Sequence, residues 1–356
     1  MDKIILTGGG TSGHVTPNLS LLPSLLDSGW EIHYFGTQNG IESKIVPRQF
    51  VTYHSIKAGK WRRYFDWKNF IDPINVLIGI MQATVQIRKI KPRVIFSKGG
   101  YVSVPVVIAG WLNRVPVIAH ESDLTPGLAN RISTPFVHQL CTSFEETLNF
   151  LPSTKSLHVG SPIREDLLNG DRETGLRLCG FNDQKPIVLI LGGSLGSVKL
   201  NKCVRDTLPV LLENFQIVHL CGKGKMDNEW IGIEGYKQFE YVDKEMSHIY
   251  KITDIAVARS GSNSIFEFLR LRIPSLLIPL PKTASRGDQI INAATFERLG
   301  YSKTLLEEHI TNEIFVKELF EVYKKRNDYI ENMKKAAVPD GKSNILHILK
   351  KYKSEV

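Results

Sequence analysis

The chain has 356 residues, 42% of them hydrophobic, which exceeds the length at which one hydrophobic core stops growing, so we expect two globular domains. Its 45 basic and 36 acidic residues give a net charge of +9, which suits an anionic partner without distinguishing a nucleotide, a nucleic acid or a phospholipid surface. The four cysteines show no CxxC spacing, which argues against a zinc site and indicates a reduced compartment.

The first predicted strand, Lys3 to Leu6, leads into a glycine loop, Gly8 to His14, and then a helix-like segment, Asn18 to Leu26. The loop has the glycine spacing of a dinucleotide fingerprint. However, the next predicted strand, Ile32 to Phe35, ends without the acidic residue that holds a ribose in such sites. The pattern therefore argues against NAD and leaves a phosphate-binding or sugar-binding loop open.

The segment from Lys57 to Arg88 combines cations, aromatic residues and an apolar stripe at helical spacing. The cations and aromatics are Lys57, Lys60, Trp61, Arg62, Arg63, Tyr64, Phe65 and Trp67, and the stripe is Ile74, Leu77, Ile78, Met81 and Val85. This mixture suits a helix lying on an anionic membrane surface. The alternative is a core-facing stripe beside a solvated basic loop. The longest apolar run, Val102 to Leu112, is shorter than the ~20 residues that span a bilayer, and the N-terminal apolar run is too short for a signal peptide, so we expect a cytoplasmic protein.

Further predicted strands, Arg93 to Phe96 and Val115 to Ala119, alternate with helices, as in a parallel sheet covered on both faces. The carboxyl ends of such strands gather functional residues. The residues expected there are His14, Gly99, Gly100, His120 and Glu121.

The second half repeats the opening of the first after a predicted boundary at Val159 to Pro162. A strand, Ile187 to Leu191, precedes a second glycine loop, Gly192 to Gly196. We therefore predict two Rossmann-like domains facing each other across a cleft. The C-terminal segment, Ser343 to Tyr352, carries an apolar stripe that must pack against another element.

Arg259 follows the predicted strand Ile255 to Ala258, and the small residues Ser260 to Ser264, four of them polar, then open a helix. Free N–H groups at a helix start bind phosphate well. Glu267, about one and a half turns into this helix, is placed to accept hydrogen bonds from a ribose. Asp288, Gln289 and Asn292 suit sugar hydroxyls. The alternative is a capped helix followed by a polar loop.

Taken together, these residues resemble the MurG family, the GT-B glycosyltransferases of peptidoglycan synthesis. The resemblance rests on Gly8 to His14 with Pro17, Lys98 to Ser103, His120 and Glu121 with Pro126, Gly127 and Asn130, Gly160 to Arg164, Gly192 to Gly196, and Arg259 to Glu267 with Gln289 and Asn292. It implies an α/β fold of two doubly wound parallel-sheet domains, with residues 1–161 binding the acceptor and the membrane, residues 162–339 binding the donor, and a helix within 340–356 packing back onto the first domain.

The resemblance also implies the reaction and its partners. N-acetylglucosamine would move from UDP-N-acetylglucosamine to undecaprenyl-pyrophosphoryl-MurNAc-pentapeptide (lipid I), giving lipid II at the cytoplasmic face of the cell membrane. The implied partners are these two substrates, an anionic membrane surface and other cell-wall synthesis proteins. Relatives that use diacylglycerol or other acceptors, and a UDP-N-acetylglucosamine 2-epimerase, are alternatives. The scattered basic residues and the lack of a recognition motif argue against a nucleic acid.

Site roles follow residue by residue from the resemblance. Ser262, Asn263 and Ser264 would bind the diphosphate, Glu267 would bind the ribose, and the backbone of Val242 would bind the uracil. Gln289, with Asp288, would bind the sugar, and Arg164 and Ser194 would stabilise the phosphate charge. Thr11, Ser12 and Gly13 would close over the donor. Asp123 stands where many members carry Asn, and we leave it out of the donor site.

The implied inverting displacement needs a base for the acceptor hydroxyl and stabilisation of the departing UDP. His14 is the predicted base, because the helix dipole at its position favours neutral imidazole. The alternatives are that His14 only orients the acceptor pyrophosphate, or that Glu121 is the base. No Asp-x-Asp motif follows a strand, so we predict no metal and no cofactor.

Overall fold

The computed structural model describes residues 1–48, 50–59, 68–193 and 196–354, and the side chains of its third helix from residue 72 onward. Ser194 and most of the predicted basic and aromatic segment, residues 60–67, lie outside the described residues. The chain divides into two compact units. The first comprises Met1–Ile163 and a return segment that begins at Pro339, and the second is Arg164–Val338.

The first unit is built on a sheet of seven parallel strands in the order β3-β2-β1-β4-β5-β6-β7. Its strands are β1 (Lys3–Thr7), β2 (Glu31–Gly36), β3 (Thr52–Ser55), β4 (Val94–Ser97), β5 (Val117–Glu121), β6 (Gln139–Thr142) and β7 (Ser156–His158). Its helices up to the boundary are α1 (Ser12–Asp27), α2 (Glu42–Ile45), α3 (Lys68–Ile90), α4 (Ser103–Leu112) and α5 (Leu128–Ser133).

The second unit contains a sheet of six parallel strands in the order β10-β9-β8-β11-β12-β13. Its strands are β8 (Ile187–Leu191), β9 (Gln216–Leu220), β10 (Tyr236–Phe239), β11 (Ile255–Ala258), β12 (Ser275–Leu277) and β13 (Ser302–Thr304). Its helices are α6 (Arg172–Cys179), α7 (Val198–Leu211), α8 (Met246–Ile252), α9 (Ser262–Leu271), α10 (Asp288–Arg298), α11 (Asn312–Lys324) and α12 (Arg326–Lys335). Short 3-10 helices lie at Thr134–Phe136, Glu146–Phe150, Glu165–Leu168, Asn228–Trp230 and Glu307–His309.

The central strands are continuous apolar runs because helices cover both faces of a parallel sheet. β8 and β11 are buried over nearly their whole length and contribute to one hydrophobic core of the second unit. In the first unit, separate cores form on the two faces of the sheet. The predicted class, α/β with two Rossmann-like parallel-sheet domains, is confirmed.

The strand order reverses between β1 and β4 in the first unit and between β8 and β11 in the second. Ligands of open parallel sheets bind beside the carboxyl ends of such strands. Each of these four strands is followed by a glycine-containing turn, at Gly8, Gly99, Gly192 and Gly261 respectively. The fold therefore places two of these glycine turns at one edge of each unit's sheet.

The return segment ends in the helix α13 (Gly341–Lys350), whose apolar stripe is buried. Ile345, Ile348 and Leu349 belong to the same core cluster as Leu21 and Leu25 of α1. The side-chain amide of Asn344 donates to the carbonyl oxygen of Val159 at 2.9 Å. The chain therefore closes back onto the first unit after the second is complete.

The predicted bounds of α1 and β5 were wrong. Helix α1 begins at Ser12 and not at Asn18, because Thr11 in extended conformation ends the loop and the helix includes Pro17. Strand β5 runs Val117–Glu121 and not Val115 to Ala119, so His120 and Glu121 lie inside the strand. These polar residues are buried with hydrogen-bond partners, which a hydrophobicity pattern does not reveal.

Helix α3 has two different faces. Ala83, Ile87 and Ile90 face the core, whereas the predicted stripe is largely exposed to solvent. Leu77 and Met81 are 61% and 62% exposed, and Ile74 and Val85 are exposed to a similar extent. The interpretation of this stripe as core-facing is wrong for these four residues. No helix in the described part of the chain is long and apolar enough to cross a membrane.

Candidate active site

The N-terminus of α9 is the centre of the site on the second unit. Ser262, Asn263 and Ser264 form its first turn, and Gly261 at the N-cap has no side chain to accept from their N–H groups. The first-turn N–H groups of a helix have no partner within the helix, and the helix dipole adds partial positive charge at this end. The geometry is that of a phosphate-binding helix start.

Glu267 lies one turn deeper, on the face of α9 towards α8. The hydroxyl of Tyr250 donates to its Oε2 at 2.8 Å. Burial is the main cause that raises the pKa of Glu267, and the nearby Arg164 opposes it. Tyr250 thus engages one of the two carboxylate oxygens of Glu267.

Arg164 lies near enough to Glu267 to act on its pKa and pairs with the residue that follows Val242. Its guanidinium Nη1 donates to Oδ1 of Asp243 at 2.8 Å, with Asp166 at 3.8 Å. Because Asp243 directly follows Val242, the ion pair links Arg164 to the segment predicted to meet a uracil. The structure thus brings Arg164, Val242 and Glu267 to one edge of the second unit.

Gln289, on the first turn of α10, lies beside the start of α9. A Cβ atom added to Gly261 would come 4.0 Å from Nε2 of Gln289. Its Oε1 accepts from the backbone N–H of Leu280 at 3.1 Å, and its carbonyl accepts from the Ser260 hydroxyl at 2.8 Å. Asn292 donates to the Ser260 carbonyl at 3.2 Å and is buried, so it supports the turn.

Arg259 is a residue whose role sequence reasoning missed. It is buried, pairs with Glu307, and donates from Nη2 to the Ser197 hydroxyl at 2.9 Å and from Nη1 to the Ile278 carbonyl at 3.0 Å. Ser197 ends the second glycine loop, so Arg259 joins that loop to the start of α9. The signal in the sequence was a lone arginine between a buried strand and a run of small residues.

On the first unit, two glycine turns interlock around His14. A Cβ at Gly100 would lie 2.2 Å from the Gly9 carbonyl oxygen and 3.0 Å from Cδ2 of His14, and φ at Gly100 is +79°. His14 lies in the first turn of α1, where its N–H donates to the Thr11 carbonyl at 3.2 Å. Thr11 is exposed, and Ser12 and Gly13 are half-buried.

Glu121, the alternative base, is engaged in structural hydrogen bonds. One carboxylate oxygen accepts from the backbone N–H groups of Ser122 and Asp123 at 2.8 and 3.0 Å. The other accepts from Gly127 N–H at 2.8 Å and from the Asn130 side chain at 2.9 Å. With four donors and little exposure, Glu121 holds the loop after β5 in place.

Behind this edge lies a buried pair, Lys98 and His120. Nζ of Lys98 lies 2.8 Å from Nδ1 of His120, and the other ring nitrogen lies 3.1 Å from the Gly160 carbonyl. A carbonyl only accepts, so Nε2 carries the proton and Nδ1 accepts from Lys98. Burial lowers the pKa of Lys98 to about 8 and that of His120 well below its usual value.

Comparisons with known proteins agree with this geometry. The family model described as "Glycosyltransferase family 28 N-terminal domain" matches residues 4–142, and the C-terminal domain model of the same family matches residues 187–347. The chain is 52% identical over 350 residues to the UDP-N-acetylglucosamine–N-acetylmuramyl-(pentapeptide) pyrophosphoryl-undecaprenol N-acetylglucosamine transferase of Clostridium tetani, covering 98% of both chains. The chain belongs to the MurG family of family 28 glycosyltransferases.

Other MurG-family and GT-B proteins extend the comparison. The chain is 51% identical over 348 residues to the transferase of the same name from Geobacillus thermodenitrificans, with 98% of both chains covered. The crystal structure of Acinetobacter baumannii MurG matches 99% of this chain and 100% of its own with a TM-score of 0.76 at 20% identity. The calicheamicin glycosyltransferase CalG4 matches with a TM-score of 0.70 at 11% identity, covering 99% and 98%. The predicted GT-B fold is confirmed.

Proposed function

We propose that this chain transfers N-acetylglucosamine from UDP-N-acetylglucosamine to undecaprenyl-pyrophosphoryl-MurNAc-pentapeptide. The observation that carries the proposal is the arrangement of three features on the second unit: the N-terminal turn of α9, Glu267 beside Tyr250, and Gln289 beside Gly261. The MurG-family relatives, matched over nearly the whole chain, carry this activity in their names. The second unit is thus the donor-binding domain and the first the acceptor domain.

The proposed donor contacts follow the geometry of α9. The N–H groups and hydroxyls of Ser262, Asn263 and Ser264 bind the diphosphate, and Glu267 accepts from the ribose hydroxyls. The backbone of Val242 binds the uracil, and Gln289 reads the sugar hydroxyls. Arg164 and Ser194 stabilise the charge of the phosphates, and Thr11, Ser12 and Gly13 close over the donor.

The proposed reaction is a single inverting displacement. The oxygen of the acceptor hydroxyl bonds to the anomeric carbon, and the bond from that carbon to UDP breaks, with the electron pair leaving on the diphosphate. His14 takes the proton of the hydroxyl. The positive groups at the start of α9 stabilise the departing diphosphate.

Membrane association through the first unit is part of the proposal. Ile74, Leu77, Met81 and Val85 expose a row of apolar side chains on α3, and the chain is cationic. An apolar row on a basic protein suits peripheral binding to an anionic surface. The site of action is then the cytoplasmic face of the cell membrane, where other cell-wall synthesis proteins are partners.

The decisive experiment follows labelled N-acetylglucosamine from its UDP donor to lipid I, with diacylglycerol as a parallel acceptor. Transfer to lipid I alone is expected. Release of UDP and N-acetylmannosamine without any acceptor would instead identify an epimerase. With saturating acceptor, His14→Ala should reduce turnover by at least 100-fold, since general-base catalysis contributes about 10² to 10⁴; near-normal turnover would show that His14 is not the base.

A further inference from the structure

Glu42, at the start of α2, is a buried carboxylate that sequence reasoning left unassigned. Its side chain is fully buried in the first unit. Oε2 accepts from the backbone N–H of Gly10 at 3.2 Å, and Oε1 accepts from the N–H and the hydroxyl of Thr37 at 2.9 and 2.6 Å. The two carboxylate oxygens thus accept three hydrogen bonds from two segments of the chain, the first glycine loop and the turn after β2.

Three glycines make room for this carboxylate. A Cβ at Gly9 would lie 2.6 Å from Cδ of Glu42, one at Gly36 would lie 2.6 Å from Cγ, and one at Gly40 would lie 2.1 Å from Oε1. At Gly9 the three nearest atoms are all carboxyl atoms of Glu42. Gly9 also lacks a positive φ, so its backbone does not itself require glycine.

The Glu42 carboxylate completes a set of bonds that hold the first glycine loop. The Tyr34 hydroxyl donates to the Gly8 carbonyl at 2.6 Å, while Glu42 holds the next turn at Gly10. Gly10, with φ +88°, packs under the ring of Tyr101, and the following residues begin α1 with His14. In dinucleotide-binding domains an acid after the second strand holds a ribose. Here the acid after β2 turns inward and binds the glycine loop itself.

We propose that Glu42 is a positioning residue that fixes the first glycine loop and thereby the placement of His14 towards the acceptor. The expected effect on turnover rests on the proposed function. The clamp, meaning the hydrogen bonds by which Glu42 holds the first glycine loop, does not depend on it. Because the proposed uracil, ribose and diphosphate contacts all lie on the second unit, loss of Glu42 should act on turnover and on the closure of Thr11, Ser12 and Gly13 over the donor, and should leave the affinity for free UDP nearly unchanged.

The test compares Glu42→Gln with Glu145→Gln, a matched change at an exposed glutamate of the same unit. In Glu42→Gln an amide NH₂ replaces one accepting oxygen, so a donor at Gly10 or Thr37 loses its partner. We expect kcat at saturating substrates to fall at least tenfold, with UDP affinity within twofold of wild type and a lower melting temperature, because a buried donor is left unpaired. Glu145→Gln should match wild type throughout. Unchanged kcat, or a loss of UDP affinity, would overturn the proposal.

A second variant keeps the test decisive if Glu42→Gln folds poorly. Gly9→Ala should lower kcat by pushing on the carboxylate, whereas adding Gly9→Ala to Glu42→Ala should cause no further loss, because the obstructing group is gone. Additive losses would contradict the clamp. If the clamp exists, amide exchange of residues 8–14 should accelerate in Glu42→Gln whatever reaction the protein catalyses. Absence of transfer by wild type would instead show that the proposed function is wrong, so the two failures are distinguishable.

Discussion

At the scale of single residues, Glu267 shows how a ligand-binding group can oppose stability. Burial raises its pKa, so the ionised form is less favourable in the folded protein than in the unfolded chain. The stabilising contribution of a group with a raised pKa is complete below its unfolded value and is lost as the pH rises through its folded value. At neutral pH the carboxylate therefore does not stabilise the fold, and its expected contribution is to ligand binding.

Glu267→Gln should separate these two effects. We expect a melting temperature at pH 7 to 8 equal to or above that of wild type, with the difference disappearing as the pH falls below the ordinary glutamate range. UDP should bind about tenfold more weakly, because hydrogen bonds to a charged acceptor are stronger than those to a neutral one by about 1 kcal/mol or more. Calorimetric titration with UDP measures this, and Glu234→Gln, at an exposed site of the same unit, is the control. Undiminished UDP affinity would rule out the ribose contact.

The lowered pKa of buried Lys98 predicts that stability changes with pH in the direction opposite to that for Glu267. Its pKa is lowered to about 8 by burial, against about 10.4 in an unfolded chain. Between these values the unfolded chain holds more protons at Lys98 than the folded protein, so stability rises with pH, by up to roughly 3 kcal/mol in total. Lys98→Met lacks this contribution.

Urea unfolding of wild type and Lys98→Met at pH 7.5 and pH 10 tests the prediction. The free energy of unfolding of wild type relative to the variant should increase with pH over this interval. Lys89→Met, at an exposed lysine on α3, should follow wild type. A difference between wild type and Lys98→Met that stays constant with pH would show that Lys98 titrates near its ordinary value.

At the scale of secondary-structure elements, prediction worked where one local pattern decided the structure. The strands β8 and β11 have the predicted bounds because they are unbroken apolar runs between polar turns. The start of α1 was missed because Gly13 and Pro17 both suggest a loop. The roles of Arg259 and Glu42 were missed because their partners, Ser197 and Gly10, are distant in sequence. Such contacts depend on the assembled sheet and leave no periodic signal.

Helix α13 offers a test of how the return segment contributes to the first unit. Leu349 is fully buried against the core that includes α1, so Leu349→Ala should destabilise the first unit by about 2–5 kcal/mol. His347→Ala, on the exposed face of the same helix, should have little effect. Calorimetry of Leu349→Ala in the presence of UDP should show a lower unfolding temperature for the first unit and an unchanged unfolding temperature for the second. Equal effects of the two variants would contradict the packing.

The exposed row on α3 predicts a membrane phenotype. Leu77→Ser combined with Met81→Ser removes two of its most exposed apolar side chains and should weaken sedimentation with anionic phospholipid vesicles at least tenfold. Val198→Ser combined with Val210→Ser removes two exposed apolar side chains from α7 of the second unit and is the matched control. Equal binding by all three proteins would dismiss α3 as the membrane contact.

At the scale of the whole molecule, each unit has its own sheet and its own core, so each can be stabilised independently. The chain crosses between the units at Ile163 and again at Pro339, and only the return helix α13 adds later residues to the first unit. A ligand that binds one unit therefore stabilises the residues of that unit by mass action and leaves the other unchanged.

UDP should thus act mainly on the second unit, which carries the proposed uracil, ribose and diphosphate contacts. At 100 times its dissociation constant it adds about 2.7 kcal/mol, so amides that exchange through unfolding of this unit should slow by about 100-fold. Hydrogen exchange measured by mass spectrometry should place this protection in β8, β9 and β11 and not in β1, β4 and β5. Glu267→Ala, tested at the same UDP concentration, should lose most of it. Protection centred on β1 and β4 would mean that the nucleotide binds the first glycine loop, and the assignment of the two units would have to be exchanged.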